Sequence, residues 1–314
     1  MSSYTPLRIS TVKPNRELTF DLYIYFKETY LKYQDSGSSI ETEKYGKLKA
    51  QKIAKFYITE EDEPKYQKFL DLLLADTMED PNVSVDEKVN MVDGACSTAI
   101  EKMQEQPESE MAYKMTNTAA KSLRQIVEKN PEALKKIFGK KVDDADLVIK
   151  HSLNVSALAT KLAVKLNLKS EDIDNIAVAG LIHDVGMTRL NKEDQMLFKK
   201  DKDKFTPDDK RIYGLHVKDA MTVLKSKPWV NANVMEIAMN HEETLKGLGP
   251  NKKTKLSKSE MIISLVNSYD KTIITTGCTP KEAMKSMMID QVGNYELDII
   301  NKFKEVLISE GLLE

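Results

Sequence analysis

The stretch that decides the fold is Gly180-Leu181-Ile182-His183-Asp184-Val185-Gly186-Met187, because it places a histidine beside a carboxylate at the end of an apolar helical run. The chain has only four histidines, all in its second half: His151, His183, His216 and His241. Each lies in or beside an apolar segment with helical periodicity. Four helices that direct imidazoles inward, one with an adjacent carboxylate, predict a metal site inside a helical bundle.

A simpler interpretation exists for each of these residues. A single histidine on an apolar helix face is usually a core residue whose nitrogens bond to nearby polar groups. Four histidines in one half of the chain, with none elsewhere, favour a shared metal site instead. Asp184 could be an ordinary helix-end carboxylate bonded to the backbone. Its position beside His183 favours a carboxylate that bridges two metal ions.

The order of these residues resembles that of a known family. The matching stretches are His151, His183-Asp184, His216, Asn240-His241-Glu242, Gly247-Leu248-Gly249-Pro250 and Asn267-Ser268-Tyr269-Asp270. Over about residues 141–290, this order resembles the HD superfamily of metal-dependent phosphohydrolases, and more closely its bacterial HD-GYP branch. That branch hydrolyses the second messenger cyclic di-GMP. The histidine-aspartate order in a helical context is specific, whereas a lone dipeptide would be weak.

The resemblance implies a mainly α protein whose helical bundle binds two divalent transition-metal ions. Nitrogen and oxygen ligands without thiolate suit iron or manganese. The implied ligands are His151, His183, Asp184, His216, His241, Asp270, Asn240 and Asn267. Asp184 and Asp270 are the candidate catalytic residues, and a hydroxide held between the two ions would attack phosphorus.

The chain departs from the branch at several functional positions. Met187 stands where the branch has a lysine expected to meet substrate phosphate. Asn240 replaces the first of two adjacent histidines, and Asn267 replaces the ligand aspartate. Glu243 replaces an arginine and is expected to repel phosphate, and no tyrosine precedes Pro250. Because metal ligands and substrate contacts are both weakened, we expect weak or absent turnover of cyclic di-GMP.

Two other functions fit the same pattern. The chain could be a non-catalytic cyclic-dinucleotide sensor or protein-docking module, or an HD hydrolase that acts on another phosphorylated nucleotide. The loop after Pro250 bears on the choice, because a basic loop over a metal site would bind anionic phosphates. Its candidate substrate-binding residues are Lys252, Lys253 and Lys255. The alternative is an ordinary solvated loop.

Composition limits the class of protein. The 314 residues are 41% apolar and 31% charged with a net charge of −2, so the chain can bury a core and lacks a nucleic-acid-binding charge signature. Cys96 and Cys278 are isolated, which predicts neither a disulfide framework nor a thiolate zinc site. The start has no signal-peptide pattern, and no apolar run is long enough to span a membrane. We therefore expect a cytoplasmic protein without a membrane partner.

The sequence predicts three parts: a small α/β sensory or docking module at 1–80, a helical connector at 81–140 and an all-helical HD-type domain at 141–314. The first is expected to contact a signalling protein. Its predicted strands are 21–26, 29–33 and 55–58, with a helix at 41–52. Its tyrosines Tyr23, Tyr25, Tyr30 and Tyr33 are expected to be half-buried sheet residues rather than a ligand surface. Predicted helix caps are Ser84, Ser170, Thr206 and Thr279.

Overall fold

The computed structural model describes residues 3–139, 143–218 and 221–313. The strands are β1 (Tyr4–Arg8), β2 (Leu22–Phe26), β3 (Thr29–Gln34) and β4 (Lys55–Thr59). The α-helices are α1 (Thr42–Ala50), α2 (Glu63–Glu79), α3 (Val85–Glu105), α4 (Glu110–Lys129), α5 (Ala133–Phe138), α6 (Leu147–Lys165), α7 (Ser170–Ile182), α8 (Pro207–Tyr213), α9 (Leu215–Lys218), α10 (Thr222–Lys225), α11 (Ala232–Met239), α12 (Lys258–Thr276), α13 (Pro280–Asp290) and α14 (Leu297–Ser309). The prediction of a helical protein with a small α/β module at its start is confirmed.

The chain divides into two compact units, Met1–Ser122 and Leu123–Glu314, and the division falls within α4. In the first unit α3 packs against β1. The division predicted from the sequence, with boundaries after residues 80 and 140, stays a prediction about which parts fold alone. None of the described helices is both long enough and apolar enough to cross a lipid bilayer.

The first unit contains an antiparallel sheet with strand order β1-β4-β2-β3. Alternation along β4 separates its two faces, because Phe56 and Ile58 are fully buried while Tyr57 lies between them on the other face. On that other face, the rings of Tyr4 and Tyr30 stack with their centroids 4.0 Å apart. Tyr25 is 50% exposed, so the tyrosine face is only partly buried.

The second unit is a helical bundle in which α6 packs against α7 and α12, and α11 packs against the same two helices. Gly180 permits the close approach of α7 to α6, since a Cβ atom there would lie 2.5 Å from the Cα atom of Ser156. Gly180 lies three residues before His183, and Ser156 lies five residues after His151. The close approach of Gly180 to Ser156 therefore sets the spacing between these two predicted ligands.

Local sequence signals explain several helix starts. Thr206 and Thr279 each form a complete capping box at the start of α8 and α13, as predicted. Ser84 also caps α3, as its side chain accepts a hydrogen bond from the backbone of Glu87. The prediction for Ser170 was wrong: it is the first residue of α7 and makes no capping bond. Its hydroxyl instead accepts a hydrogen bond of 2.8 Å from the guanidinium of Arg124.

Candidate metal centre

The four histidines and Asp184 converge in the core of the second unit. His151 comes from the second turn of α6, His183 directly follows α7, His216 lies in α9 and His241 lies two residues after α11. All four imidazoles are fully buried, and Asp184 is 1% exposed. Residues up to 90 positions apart in the sequence therefore meet at one carboxylate.

Asp184 lies between two pairs of imidazoles. Its Oδ2 is 3.4 Å from Nε2 of both His151 and His183. Its Oδ1 is 3.2 Å from Nε2 of His216 and 3.4 Å from Nε2 of His241. Within each pair the two Nε2 atoms are 3.2 Å and 3.1 Å apart. The cluster thus consists of two triplets of possible ligands that share Asp184.

Hydrogen bonds at Nδ1 orient each imidazole. Three of the rings contact the carbonyl oxygen of the residue three positions earlier, which can only accept a hydrogen bond. These pairs are His183 with Gly180 at 2.8 Å, His241 with Ala238 at 2.6 Å, and His216 with Tyr213. The proton therefore resides on Nδ1, and Nε2 presents a lone pair toward Asp184. This is the tautomer that binds a metal through Nε2.

The convergence of these atoms fits divalent metal ions. Both carboxylate oxygens of Asp184 are buried without a hydrogen-bond partner among the described residues. Paired nitrogen lone pairs about 3 Å apart repel each other unless a cation or proton lies near both. Burial lowers the pKa of His151, which favours the neutral imidazole. Burial opposes ionisation of Asp184, but the surrounding imidazoles keep the pKa of its carboxyl well below the usual range.

Helix α12 places two further predicted ligands on opposite nitrogens of His151. Oδ2 of Asp270 accepts the hydrogen bond from Nδ1 at 2.6 Å, so this carboxylate orients the ring from the side away from Asp184. Oδ1 of Asn267 lies 2.9 Å from Nε2, on the side that faces Asp184. The amide nitrogen of Asn267 donates to Glu242 at 3.2 Å, which keeps the amide oxygen directed at the cluster.

Unlike Asn267, Asn240 has no described hydrogen bond to an imidazole of the cluster. Its amide nitrogen donates to Oε1 of Glu260 at 2.6 Å, and its amide oxygen accepts from Asn251 at 3.3 Å. The side chain is therefore engaged by α12 and by the loop that precedes it. A role for Asn240 as a metal ligand would require this side chain to turn.

The predicted substrate-binding lysines differ in their surroundings. Lys253 donates to carboxylate oxygens of Glu236 and Glu260 at 2.8 Å and 2.5 Å, so its charge is already paired. Lys252 and Lys255 are exposed. The structure places none of these three ammonium groups against a histidine of the cluster through a described contact.

The carboxylate of Glu243 binds the backbone of the loop that follows Pro250. Its carboxylate is fully buried and accepts the backbone N–H groups of Asn251 at 2.6 Å and Lys253 at 2.8 Å. A Cβ at Gly249 would lie 2.5 Å from this carboxylate, so glycine is needed for the loop to close over it. Its carboxylate thus fastens the loop, and the predicted repulsion of a substrate phosphate by Glu243 stays a prediction.

Sequence reasoning missed two charged residues beside the cluster. Glu242 lies next to the cluster, with Oε1 3.7 Å from Nε2 of His241, and its other oxygen pairs with the ammonium of Lys202. Burial opposes ionisation of Glu242, but the charge of Lys202 lowers the pKa of its carboxyl. Glu242 follows a predicted ligand and could have been found by its position. Lys202 lies in a polar stretch without any pattern, and only the folded chain reveals it.

Lys271 is a second lysine near the cluster that could not be identified from the sequence. It is 4% exposed, and its ammonium donates to the carbonyl oxygen of Phe198 at 2.8 Å and lies over that residue's ring. Burial lowers its pKa to about 7. The sequence offers no signal for this lysine beyond its position directly after Asp270.

The chain is similar to known proteins in both sequence and fold. The family model described as HD domain matches residues 121–298. The chain is similar to Bd1817, an HDG"Y"P protein from Bdellovibrio bacteriovorus, with 25% identity and a TM-score of 0.74 over 98% of this chain and 100% of that one. The HD domain of the L. monocytogenes phosphodiesterase PgpH matches with 22% identity over 51% of this chain and 88% of that one, with a TM-score of 0.39. Its complex with cyclic-di-AMP matches with 22% identity over 51% and 87% and a TM-score of 0.38. No curated protein matches in sequence.

Proposed function

The chain belongs to the HD domain family, whose model matches more than half of its length, and we propose that it is a divergent metal-dependent phosphodiesterase with weak turnover and a cyclic dinucleotide as its ligand. The HD-GYP resemblance drawn from the histidine motifs is confirmed by similarity along the whole chain to an HDG"Y"P protein. The observation that carries the proposal is the buried carboxylate of Asp184, which has no hydrogen-bond partner among the described residues and faces four imidazole nitrogens.

The proposed ligands form two groups that share Asp184. One contains His151 and His183, and the other contains His216 and His241. Two divalent cations would lower the pKa of water and offset the negative charge of a phosphoryl group. The chain contributes by fixing each imidazole through its Nδ1 bond and by excluding bulk water from the buried cluster. Donors of nitrogen and oxygen without thiolate favour iron or manganese.

Weak turnover follows from what surrounds the cluster. An uncharged amide, Asn267, contacts His151 where the branch has a carboxylate, so a metal ion is less strongly attracted. Met187 is buried in an apolar cluster with Leu197, Phe198 and Tyr213 and supplies no charge for a phosphate. Poor positioning of a bound phosphodiester costs orders of magnitude in rate. The same observations favour the alternative function, a non-catalytic cyclic-dinucleotide sensor or docking module on this fold.

Metal content and hydrolysis test the proposal together. Protein purified without chelator should contain about one to two transition-metal ions per chain by elemental analysis. With added iron or manganese under reducing conditions, it should hydrolyse bis(p-nitrophenyl) phosphate and cyclic di-GMP far more slowly than about 1 per second, the low end for ordinary enzymes. A protein that cannot be loaded with any of these metals would refute the proposal. Binding of cyclic di-GMP without any hydrolysis would support the sensor instead, and turnover near that rate would contradict the predicted weakness.

A further inference from the structure

Lys202 reaches the histidine cluster from a segment outside the motifs that form it. It begins a short 3-10 turn, Lys202–Lys204, in the connection between α7 and α8. Its ammonium forms an ion pair with Glu242 and lies 5.4 Å from the centre of the Tyr213 ring. The side chain of Lys202 is 38% exposed, whereas that of Glu242 is 9% exposed. The pair therefore has a buried anion and a cation that remains open to solvent.

The buried anion lies directly beside the cluster. Oε1 of Glu242 is 3.7 Å from Nε2 of His241, and that nitrogen is 3.4 Å from Oδ1 of Asp184. Lys202 is thus separated from the imidazoles by a single carboxylate. An anion that approaches the cluster from solvent on this side meets the ammonium of Lys202 before it meets the histidines.

Three other described lysines of the second unit are less available. Lys271 is buried, and its ammonium donates to a backbone carbonyl oxygen. Lys253 is paired with two carboxylates. Lys200 pairs with Asp209 at 2.6 Å, which belongs to the capping box of α8. Lys202 differs from all three, because its partner is the carboxylate that lies against the proposed metal site.

We propose that the ammonium of Lys202 binds the phosphate of an incoming phosphodiester. Until the phosphate arrives, the carboxylate of Glu242 forms the ion pair with Lys202, and the phosphate then takes the place of that carboxylate. A phosphodiester carries a negative charge and can therefore compete with the carboxylate of Glu242 for the ammonium of Lys202. Charge-assisted hydrogen bonds from an ammonium to phosphate oxygens are among the stronger polar contacts in proteins. This inference rests on the proposed function and names a residue that determines its substrate class.

Glu242 can release Lys202 without being left unpartnered. Its Oε1 accepts a hydrogen bond from the amide of Asn267 at 3.2 Å and lies 3.5 Å from the hydroxyl of Tyr213. These contacts would keep the carboxylate in place while Lys202 turns toward phosphate. The exchange involves ion pairs only and no covalent step.

Two variants compare Lys202 with a neighbouring lysine in the manganese-loaded full chain. Lys202→Met should weaken binding of cyclic di-GMP and of bis(p-nitrophenyl) phosphate by roughly tenfold or more in calorimetric titrations, since it removes a charge-assisted contact. Lys204→Met is the matched control, because Lys204 lies in the same turn, is 76% exposed and pairs with Asp201. Its affinity for both probes should stay within about twofold of the unmodified protein, as expected for an exposed ion pair. Metal content should be unchanged in both variants, and circular dichroism should show that both remain folded.

Two further variants separate phosphate binding from a merely structural ion pair. Lys202→Arg keeps the charge and should retain most of the affinity. Glu242→Gln removes the competing anion and should tighten binding of both probes at saturating metal, whereas a structural role predicts that breaking the pair from either side weakens binding.

Equal affinity in Lys202→Met and the unmodified protein would overturn the inference and leave the proposed function standing. Loss of affinity in Lys202→Arg as large as in Lys202→Met, or weaker binding in Glu242→Gln, would also overturn it. An unmodified, metal-loaded protein that neither binds nor hydrolyses either probe would refute the proposed function, and the inference with it.

Discussion

Asp270 contacts His151 from the side opposite the cluster, and its effect on metal binding can be measured. Its Oδ2 accepts the 2.6 Å hydrogen bond from Nδ1 of His151, and Asn154 donates to its Oδ1 at 3.0 Å. A carboxylate in this position fixes the ring and makes its other nitrogen a stronger ligand. Asp270→Asn should therefore weaken the ion bound by His151 and His183 by roughly 10- to 100-fold, the usual effect of such a partner.

Metal competition titrations would show this loss as one weakened site beside one unchanged site. The exposed carboxylate of Asp298, in the first turn of α14, provides the control Asp298→Asn, which should bind metal like the unmodified protein. Equal weakening of both sites would contradict the assignment of Asp270 to His151 alone.

Asp184→Asn tests the shared carboxylate. The substitution preserves shape and removes the charge that lies between the four imidazoles, so each ion loses a charged ligand. We expect metal content after dialysis to fall from about two ions to at most one per chain. Circular dichroism with chelator should show that the variant remains folded, so that the loss of metal can be assigned to the missing charge. An unchanged metal content would rule out Asp184 as a ligand.

Metal affinity should depend on pH in a defined direction. Each Nε2 must be unprotonated to bind a metal, so metal binding releases protons wherever the free imidazoles are protonated. Burial lowers the pKa of His151, which delays its protonation as the pH falls. Affinity should be nearly constant above about pH 7 and should decline as the pH falls toward about 5, the range in which histidines titrate. A titration in which the apparent Kd is the same at both values would contradict imidazole ligation.

At the scale of single residues, the sequence predicted which histidines lie together, but it did not predict the charged and polar contacts around them. His151, His183, His216 and His241 could be identified because histidine is rare in this chain and because motif order is retained. Lys202 and Glu242 are 40 positions apart, and their contact depends on how the connection between α7 and α8 folds. Asn240 was predicted to be a metal ligand from its position in the motif, but its side-chain amide donates a hydrogen bond to the carboxylate of Glu260.

At the scale of helices, the packing of α6 against α7 depends on Gly180. A methyl group there would lie 2.5 Å from the backbone of Ser156, which cannot move without shifting α6 itself. Gly180→Ala should reduce the free energy of unfolding by about 1–3 kcal/mol or more, the usual cost of overpacking. The displaced α7 would also move His183 away from His151, so metal content should fall together with Tm. Gly46→Ala, at a position in α1 with open space around it, should leave metal content unchanged.

Helix and strand positions were predictable where the signal was local. The capping threonines Thr206 and Thr279 need only their own next three residues, and both predictions were confirmed. The prediction that Ser170 caps α7 was wrong, and its hydroxyl instead accepts a hydrogen bond from Arg124, which is distant in the sequence. Strands β2, β3 and β4 were predicted to within one residue at each end, since β-branched and aromatic residues are concentrated there, whereas β1 was not predicted.

At the scale of the whole molecule, every residue of the candidate metal centre lies in the second unit. A chain that starts at Glu110, the first residue of α4, keeps that helix intact and should fold and bind metal. A chain that starts at Ser84 would also retain α3, which packs against β1 in the first unit. It should therefore be less soluble than the shorter chain. Circular dichroism and metal analysis of both would test this, and a metal-free or unfolded Glu110 chain would show that the helical bundle needs the first unit.

The single carboxylate shared by both triplets makes the two metal sites thermodynamically dependent on each other. Asp184 has one negative charge, and the first ion to bind would draw on most of it. A second ion would then meet a less attractive carboxylate and the repulsion of its neighbour, so its affinity should be lower than that of the first. Occupancy should consequently rise in two separate phases as free metal increases, with a one-ion species that accumulates between them. By linkage, the factor by which the first ion lowers the affinity for the second is also the factor by which the second lowers the affinity for the first.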